Sequence, residues 1–190
     1  MKNRSFAIAL LAATMVAACI KQQKASSELA PRQTPSPSNV FTLTSTTFKE
    51  GQPIPRQYTC DGVNVSPSLE WTAVPKTAKT IAIIVDDPDA ASGTFTHWVL
   101  YNLSSETMGM VENAPTTETL KGGGQQGEND FEKIGYGGPC PPSGTHRYFF
   151  KIYAVDDELA LKPGAKKADV EKALEGHIVG QAQLMGTYKR

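Results

Sequence analysis

The sequence lacks an excess of either charge, and it lacks the repeated apolar runs of a membrane protein. Its 190 residues include 19 Lys and Arg against 19 Asp and Glu, so the formal net charge is zero. A nucleic-acid-binding chain would carry a basic excess, and a disordered chain would combine low hydrophobicity with a strong net charge. A multi-spanning membrane protein would repeat apolar runs of about 20 residues. The composition therefore excludes these three classes.

Cysteine is scarce, whereas glycine and proline are too numerous for a helical bundle. The 16 Gly and 13 Pro do not have the regular spacing of collagen, and they indicate a globular domain rich in loops and β-strands. The three cysteines are Cys19, Cys60 and Cys140. Because their number is odd, one of them is expected to have a different role from the other two.

The N-terminal segment predicts export from the cytoplasm. Lys2 and Arg4 precede an apolar stretch, residues 6–13, which is short for a transmembrane helix and has the length of a signal-peptide core. Residues 16–19 read Val-Ala-Ala-Cys and resemble the lipobox of bacterial lipoproteins. That resemblance implies cleavage just before Cys19, a diacylglyceryl thioether on its sulfur, and further acylation with a fatty acid such as palmitate. The alternative is an ordinary signal peptide in which Cys19 is incidental.

Composition divides the chain into three parts. Residues 1–18 form the predicted signal peptide, residues 19–39 combine the lipidated cysteine with a flexible linker rich in Ser, Gln and Pro, and residues 40–190 form one domain. Loss of the signal peptide removes two bases and no acid, which leaves 17 bases against 19 acids. We therefore expect no nucleic-acid partner. We expect a lipid anchor in the bacterial cell envelope, on the periplasmic side of the outer membrane in a Gram-negative cell.

The apolar pattern predicts mainly β structure within the domain. Strands are predicted over residues 41–44, 69–71, 80–85, 94–103 and 147–155. One helix is predicted over residues 167–177 from a single apolar face, with the cationic form of His177 favoured in its last turn. Between Gly122 and Gly144, eight glycines and three prolines predict a long loop that holds neither a helix nor a central strand.

Two segments place a histidine at the start of a long strand, close to turn-forming residues. Asp87 and Asp89 follow the buried strand over residues 80–85, and His97 and His146 open the two long strands. If these strands converge at one edge of the sheet, imidazoles and carboxylates face one concave site. Taken singly, such aspartates are turn formers and such histidines are structural. A zinc site is chemically reasonable but the ligand spacing is long, and no nucleophile elbow or phosphate-binding loop occurs.

Five motifs occur in order along the domain. They are Asp-Pro-Asp-Ala at 87–90, His-Trp at 97–98, Gly-Pro-Cys-Pro-Pro at 138–142, His-Arg-Tyr at 146–148 and Gly-Thr-Tyr-Lys-Arg at 186–190. Together they resemble the phosphatidylethanolamine-binding protein family, and in particular its bacterial and archaeal Raf-kinase-inhibitor-like branch. The resemblance implies a mainly β, sandwich-like fold with a large central antiparallel sheet, a smaller second sheet and a C-terminal helix.

The resemblance also implies a non-catalytic binding protein with a small anion pocket at the end of the sheet. The expected ligand is the phosphate of a phospholipid headgroup or a related phosphorylated group, with no cofactor and no metal. Carried over position by position, the pocket comprises Asp87, Asp89, His97, Pro141, Pro142, His146 and Tyr148. Ala91 stands where the family has a second proline. Inhibition of a kinase or protease, hydrolysis of small esters, and assembly as a homodimer remain open alternatives.

Two carboxylates beside an anion require compensating charge. We expect protonated histidines, oriented by the aspartates, to donate to the oxyanion, which favours a zwitterionic ligand such as phosphoethanolamine and tighter binding at lower pH. Arg147 is expected to form a structural ion pair, because it lies on the opposite face of its strand from His146. Cys60 and Cys140 are expected to form a disulfide in an oxidising compartment, with two free thiols as the alternative.

Overall fold

The computed structural model describes residues 40–190. The predicted signal peptide, the lipidation site at Cys19 and the linker to residue 39 lie outside the described residues. The elements are β1 (Thr42–Thr44), β2 (Leu69–Thr72), β3 (Thr80–Asp87), β4 (Phe95–Ser104), β5 (Gly109–Met110), β6 (Gln125–Glu128), β7 (Thr145–Val155), β8 (Gly164–Lys166), α1 (Lys167–Leu174) and β9 (Ile178–Lys189). Within this range no helix is long and apolar enough to cross a membrane.

The strands form two sheets, which confirms the prediction of a mainly β fold. The large sheet has six strands in the order β8-β6-β4-β3-β7-β9, and the small sheet has the order β1-β2-β5. Neighbouring strands are antiparallel except β6 and β8, which are parallel. The large sheet is therefore mixed and not wholly antiparallel as expected. β7 intervenes in the chain between β6 and β8, so no hairpin forces that pair to be antiparallel.

Alternation along β3 divides the apolar side chains between two layers. Ile83 packs between the sheets in the same cluster as Trp71 of β2, whereas Ile84 packs on the other face with Val170 and Leu174 of α1. Both faces of β3 are covered, and all eight of its residues are buried. This double burial explains why the strand reads as a continuous β-branched run.

The end of the chain differs from the prediction. The helix ends at Leu174, because Gly176 follows with a φ of 80°, a conformation that ends helices. His177 lies beyond the helix, where its Nδ1 is 2.9 Å from Oδ1 of Asp156, so its predicted place in the last helical turn is wrong. The twelve-residue strand β9 then completes the sheet, and the C-terminal helix is followed by the longest of the described strands.

The glycine-rich segment between Gly122 and Gly144 contains a strand, contrary to the prediction. β6 lies one position in from the sheet edge, between β4 and β8. Gln126 of β6 is fully buried, and its amide accepts from Nε1 of Trp98 at 2.7 Å and donates to the carbonyls of Pro115 and Thr117, each at 2.7 Å. A fully bonded amide at this central position gives no apolar signal, which explains why the pattern did not reveal the strand.

Candidate functional site

The two neighbouring aspartates at the end of β3 face opposite sides of the large sheet. Side chains alternate along a strand. Asp86 lies on the α1 side, where Oδ2 is 2.8 Å from Nζ of Lys151 and Oδ1 is 2.9 Å from Nζ of Lys167. Asp87 lies on the other side and accepts a hydrogen bond from His146. One of the two carboxylates is therefore neutralised by lysines away from the histidines, and the other meets them.

A β-bulge sets the direction of His97. Val85 pairs with Trp98, but the next residue of β3, Asp86, pairs with Thr96, so His97 is the extra residue on β4. A bulge re-aims the side chain at the site where it occurs. The His97 ring consequently lies edge-on to the Tyr148 ring on β7, with 5.1 Å between the centroids.

His97 is held as a buried, neutral ring. It is 2% exposed, and its Nδ1 lies 2.7 Å from the carbonyl oxygen of Gly137. Burial lowers the pKa of His97, while the carbonyls of Gly137 and Gly138 and the nearby Asp87 act in the opposite direction with smaller effect. The expectation of a protonated donor at this position is therefore corrected, because desolvation disfavours the charged imidazole.

His146 is oriented by Asp87. Its Nδ1 is 2.7 Å from Oδ2 of Asp87, and the two side chains are 11% and 5% exposed. The other carboxylate oxygen, Oδ1, accepts from the backbone N–H of Asp89 at 2.8 Å. Both oxygens of Asp87 are thus used to hold the turn and the imidazole, and Nε2 of His146 is left for a ligand.

Asp89 does not join the other predicted pocket residues. Its Oδ1 and Oδ2 accept from Nη2 and Nε of Arg147 at 2.7 and 2.9 Å, and Oδ2 also accepts from the Arg147 backbone N–H. This pair lowers the pKa of Asp89 to about 2. Arg147 alternates with His146 on β7, so the ion pair forms on the other face of the strand. The structural ion pair predicted for Arg147 is confirmed, with Asp89 as its partner.

Tyr148 lies behind the site and does not line it. Its side chain is fully buried, and its hydroxyl has no hydrogen-bond partner among residues 40–190. Burial, followed by the nearby charge of Asp87, raises the pKa of Tyr148 well above its usual range. The tyrosine is therefore a neutral phenol whose hydroxyl lies next to the carboxylate that holds His146.

The wall opposite the strands comes from the glycine- and proline-rich segment. Gly137 donates its N–H to the carbonyl of His97 at 2.8 Å, and Gly138 donates to Oδ1 of Asn64 at 2.8 Å. A Cβ on Gly137 would lie 2.6 Å from the Phe131 ring, so only glycine fits there. A disulfide joins Cys140 to Cys60, as expected from the sequence, and fixes the wall to the rest of the domain.

These elements enclose a cavity of about 290 Å³ at the end of the large sheet. Five of the seven predicted residues line it: Asp87, His97, Pro141, Pro142 and His146. Six residues outside that predicted set also line it: Ala90, Ala91, Ser92, Phe95, Phe131 and Cys140. Phe95 could have been found, since it precedes His97 by two residues, but the sequence carries no signal for Phe131. A larger cavity of about 670 Å³ lies between β1 and β9 and contains none of the predicted residues.

Aromatic rings form one side of the cavity, and the lining lacks a permanent cation. The rings of Phe95 and Phe131 are 4.7 Å apart and lie 5.2 and 5.3 Å from the His97 ring. Neither lysine nor arginine is among the lining residues. Within residues 40–190, no group of three His, Cys, Asp or Glu side chains is arranged to hold a metal ion. Any positive charge in the cavity must therefore come from His146 or from the ligand itself.

Comparison with known sequences identifies one family model, described as phosphatidylethanolamine-binding protein, which matches residues 44–189. The chain is 52% identical over 143 residues to the UPF0098 protein of Methanothermobacter thermautotrophicus, covering 75% of this chain and 95% of the relative. It is 48% identical over 154 residues to the UPF0098 protein of Aquifex aeolicus, covering 80% of this chain and 90% of the relative.

Two solved structures resemble the domain. CT736 from Chlamydia trachomatis, described as a homolog of the phosphatidylethanolamine-binding protein, has a TM-score of 0.75 and 41% identity, over 80% of this chain and 99% of its own. YbcL from E. coli, described as a member of the mammalian family of that name, has a TM-score of 0.74 and 31% identity, over 79% of this chain and 98% of its own.

Proposed function

Since the chain belongs to the phosphatidylethanolamine-binding protein family, whose members are in general non-catalytic binding proteins, we propose that its sheet-end cavity binds a small phosphorylated ligand. A phosphoethanolamine-like headgroup suits the cavity chemically. The observation that carries this proposal is the convergence of Asp87, His97 and His146 in one concave site with aromatic and proline walls. Such a combination of an apolar lining and a few directed polar groups is typical of small-molecule sites.

The polar groups match a zwitterion better than a simple anion. A protonated His146 donates from Nε2 to a phosphoryl oxygen, because its Nδ1 is engaged by Asp87. The carboxylate of Asp87 attracts the ammonium of the ligand, and the faces of Phe95 and Phe131 favour a cation as well. The cavity volume of about 290 Å³ lies at the lower end for small-molecule sites, which favours a headgroup over acyl chains.

Replacing His146 with glutamine is expected to weaken binding of O-phosphoethanolamine at least tenfold, since a charge-assisted hydrogen bond contributes about 1.5–3 kcal/mol. Calorimetric titration of the purified domain measures the effect. Arg147→Gln is the matched control, because Arg147 is the next residue on β7 and binds Asp89 outside the cavity. Its affinity is expected to stay within about twofold of wild type. An equal loss in both variants would locate binding at the exposed Arg147–Asp89 surface and contradict the proposal.

Hydrolysis of small esters has less support from the geometry. Asp87 and His146 form a pair that orients an imidazole as in hydrolases, and Ser92 lines the same cavity. Among residues 40–190, however, no hydrogen bond joins a serine hydroxyl to either cavity histidine. An activated nucleophile requires such contact with its base, so binding without turnover is the function that we propose.

We also propose that Cys19 carries the lipid that anchors the protein in the bacterial envelope, on the strength of the lipobox-like residues 16–19. Replacing Cys19 with alanine is expected to abolish incorporation of radiolabelled palmitate and to move the protein from the membrane to the soluble fraction, since stable anchoring depends on the acyl chains. Ser26→Ala is the control, because it leaves Cys19, the residues next to it and the disulfide unchanged. Retained label in Cys19→Ala would contradict lipidation at this residue.

A further inference from the structure

The proton on His97 has a fixed position. A carbonyl oxygen can only accept a hydrogen bond, so Nδ1 of His97 must carry the proton that it shares with Gly137 at 2.7 Å. In the neutral ring the second nitrogen, Nε2, is then a hydrogen-bond acceptor. His97 lines the cavity, so the polar atom that it offers to a ligand is a lone pair and not a donor.

Surrounding groups keep the ring in this form. His97 is 2% exposed and contacts three aromatic rings, those of Phe95, Phe131 and Tyr148, with centroids 5.1 to 5.3 Å away. Burial lowers the pKa of His97, and the apolar rings provide no solvation for a second ring proton. A ligand therefore cannot readily convert Nε2 into a donor.

The cavity offers little compensation for a fully deprotonated oxyanion. No lysine or arginine lines it, and Arg147 is committed to Asp89 on the other face of β7. The Asp87 carboxylate is itself a lining group. A bare oxyanion oxygen placed against Nε2 of His97 would meet a lone pair with no intervening proton, and an unpaired buried acceptor is costly.

We propose that this cavity selects phosphoryl groups that retain a proton, because the P–O–H group can donate to Nε2 of His97. The inference rests on the proposed function and specifies the ligand for the same site. The monoanion of inorganic phosphate and that of a free phosphomonoester such as O-phosphoethanolamine meet this requirement. Sulfate and phosphodiesters, among them the headgroup of an intact phospholipid, carry no such proton and are disfavoured.

The test compares anions by calorimetry at pH 5.5, where a phosphate monoester keeps its second proton to a large extent because that pKa is about 6. Methyl phosphate and dimethyl phosphate are then both monoanions and differ by one proton donor. Methyl sulfate matches the methyl phosphate monoanion in size and charge and has no proton to donate. We expect methyl phosphate to bind at least tenfold more tightly than dimethyl phosphate and at least tenfold more tightly than methyl sulfate.

Two variants identify the residue responsible. His97→Gln supplies an amide that can donate or accept, so both selectivity ratios are expected to fall toward one. His146→Gln is expected to weaken binding of methyl phosphate and inorganic phosphate while both ratios are kept. Because His97 is buried, the His97→Gln variant can unfold. The affinity ratios of the wild-type protein therefore test the inference by themselves. Ratios near one with measurable binding would overturn the inference and leave the proposed function intact.

A further calorimetric titration distinguishes a phosphomonoester from inorganic phosphate as the preferred ligand. O-Phosphoethanolamine binding more tightly than inorganic phosphate supports selection of a protonated free monoester, and equal or weaker binding supports selection of protonated inorganic phosphate. Absence of binding by every one of these anions would overturn the proposed function, and the inference with it.

Discussion

Replacing Cys60 and Cys140 together with serine is expected to lower the free energy of unfolding by about 4 kcal/mol. The disulfide joins residues that are 80 positions apart, so its loss returns to the unfolded chain the conformational freedom of a long loop. In a domain of this size, such a change lowers the melting temperature by roughly 8–16 °C. The double substitution avoids leaving one free thiol.

Urea unfolding of the oxidised wild type, the reduced wild type and the double variant measures this effect. The last two are expected to agree, since both lack the same covalent link. Arg190→Gln is the control, because Arg190 binds Asp61 beside the disulfide through a partly exposed surface pair, and surface pairs contribute about 1 kcal/mol or less. If the double variant lost no more unfolding free energy than Arg190→Gln, the unfolded chain without the disulfide would have to be compact already.

The sequence predicted those strands whose burial follows a simple rule. β3 is covered on both faces and reads as a β-branched run, and all five predicted strands occur with ends within a few residues of the prediction. β6 and β9 did not show this signal. The buried side of β6 is occupied by the amide of Gln126, and β9 is an edge strand in which Leu184 and Gly186 are the two buried residues. Whether these two segments form strands depends on partner strands that are distant in sequence. The local pattern of apolar residues therefore does not reveal them.

The candidate site was predictable by residue type but not by geometry. Five of the residues implied by the family resemblance line the cavity, among them Asp87, His97 and His146. The separation of Asp89 from them depends on Arg147, which lies 58 residues away in the sequence and binds both oxygens of the Asp89 carboxylate. The buried position of His97 depends on a bulge in β4, and the proton on its Nδ1 depends on the Gly137 carbonyl. Register shifts and loop contacts of this kind arise only when the sheet is assembled.

Replacing Asp87 with asparagine is expected to raise the affinity for inorganic phosphate at pH 8 about tenfold. Two effects act in the same direction. The substitution removes a negative charge from the cavity, and at a separation of several ångströms such a charge repels an anion by about 1–3 kcal/mol. The asparagine amide also donates to Nδ1 of His146, at the position where Oδ2 now accepts from it at 2.7 Å. The neutral His146 ring must then carry its proton on Nε2, where it can donate to the ligand.

Wild type and Asp87→Asn are compared at the same pH, so both proteins are exposed to the same mixture of phosphate monoanion and dianion. The titration of phosphate therefore does not contribute to the difference in affinity. Nitrogen-15 NMR of the imidazole reports which ring nitrogen carries the proton in each protein. The fold should be retained, because the asparagine oxygen can still accept from the Asp89 N–H that Oδ1 binds at 2.8 Å.

Asp86→Asn is the matched control for Asp87→Asn, since Asp86 is the preceding residue of β3 but faces Lys151 and Lys167 on the α1 side. Its phosphate affinity is expected to remain within about twofold of wild type. The affinity for O-phosphoethanolamine should rise less than the affinity for phosphate in Asp87→Asn, because the ligand's ammonium loses the carboxylate that attracts it. Selectivity for the zwitterion would therefore fall. Weaker phosphate binding by Asp87→Asn would instead mean that the Asp87 carboxylate contacts a protonated phosphoryl oxygen directly, and the role assigned here to His146 would be wrong.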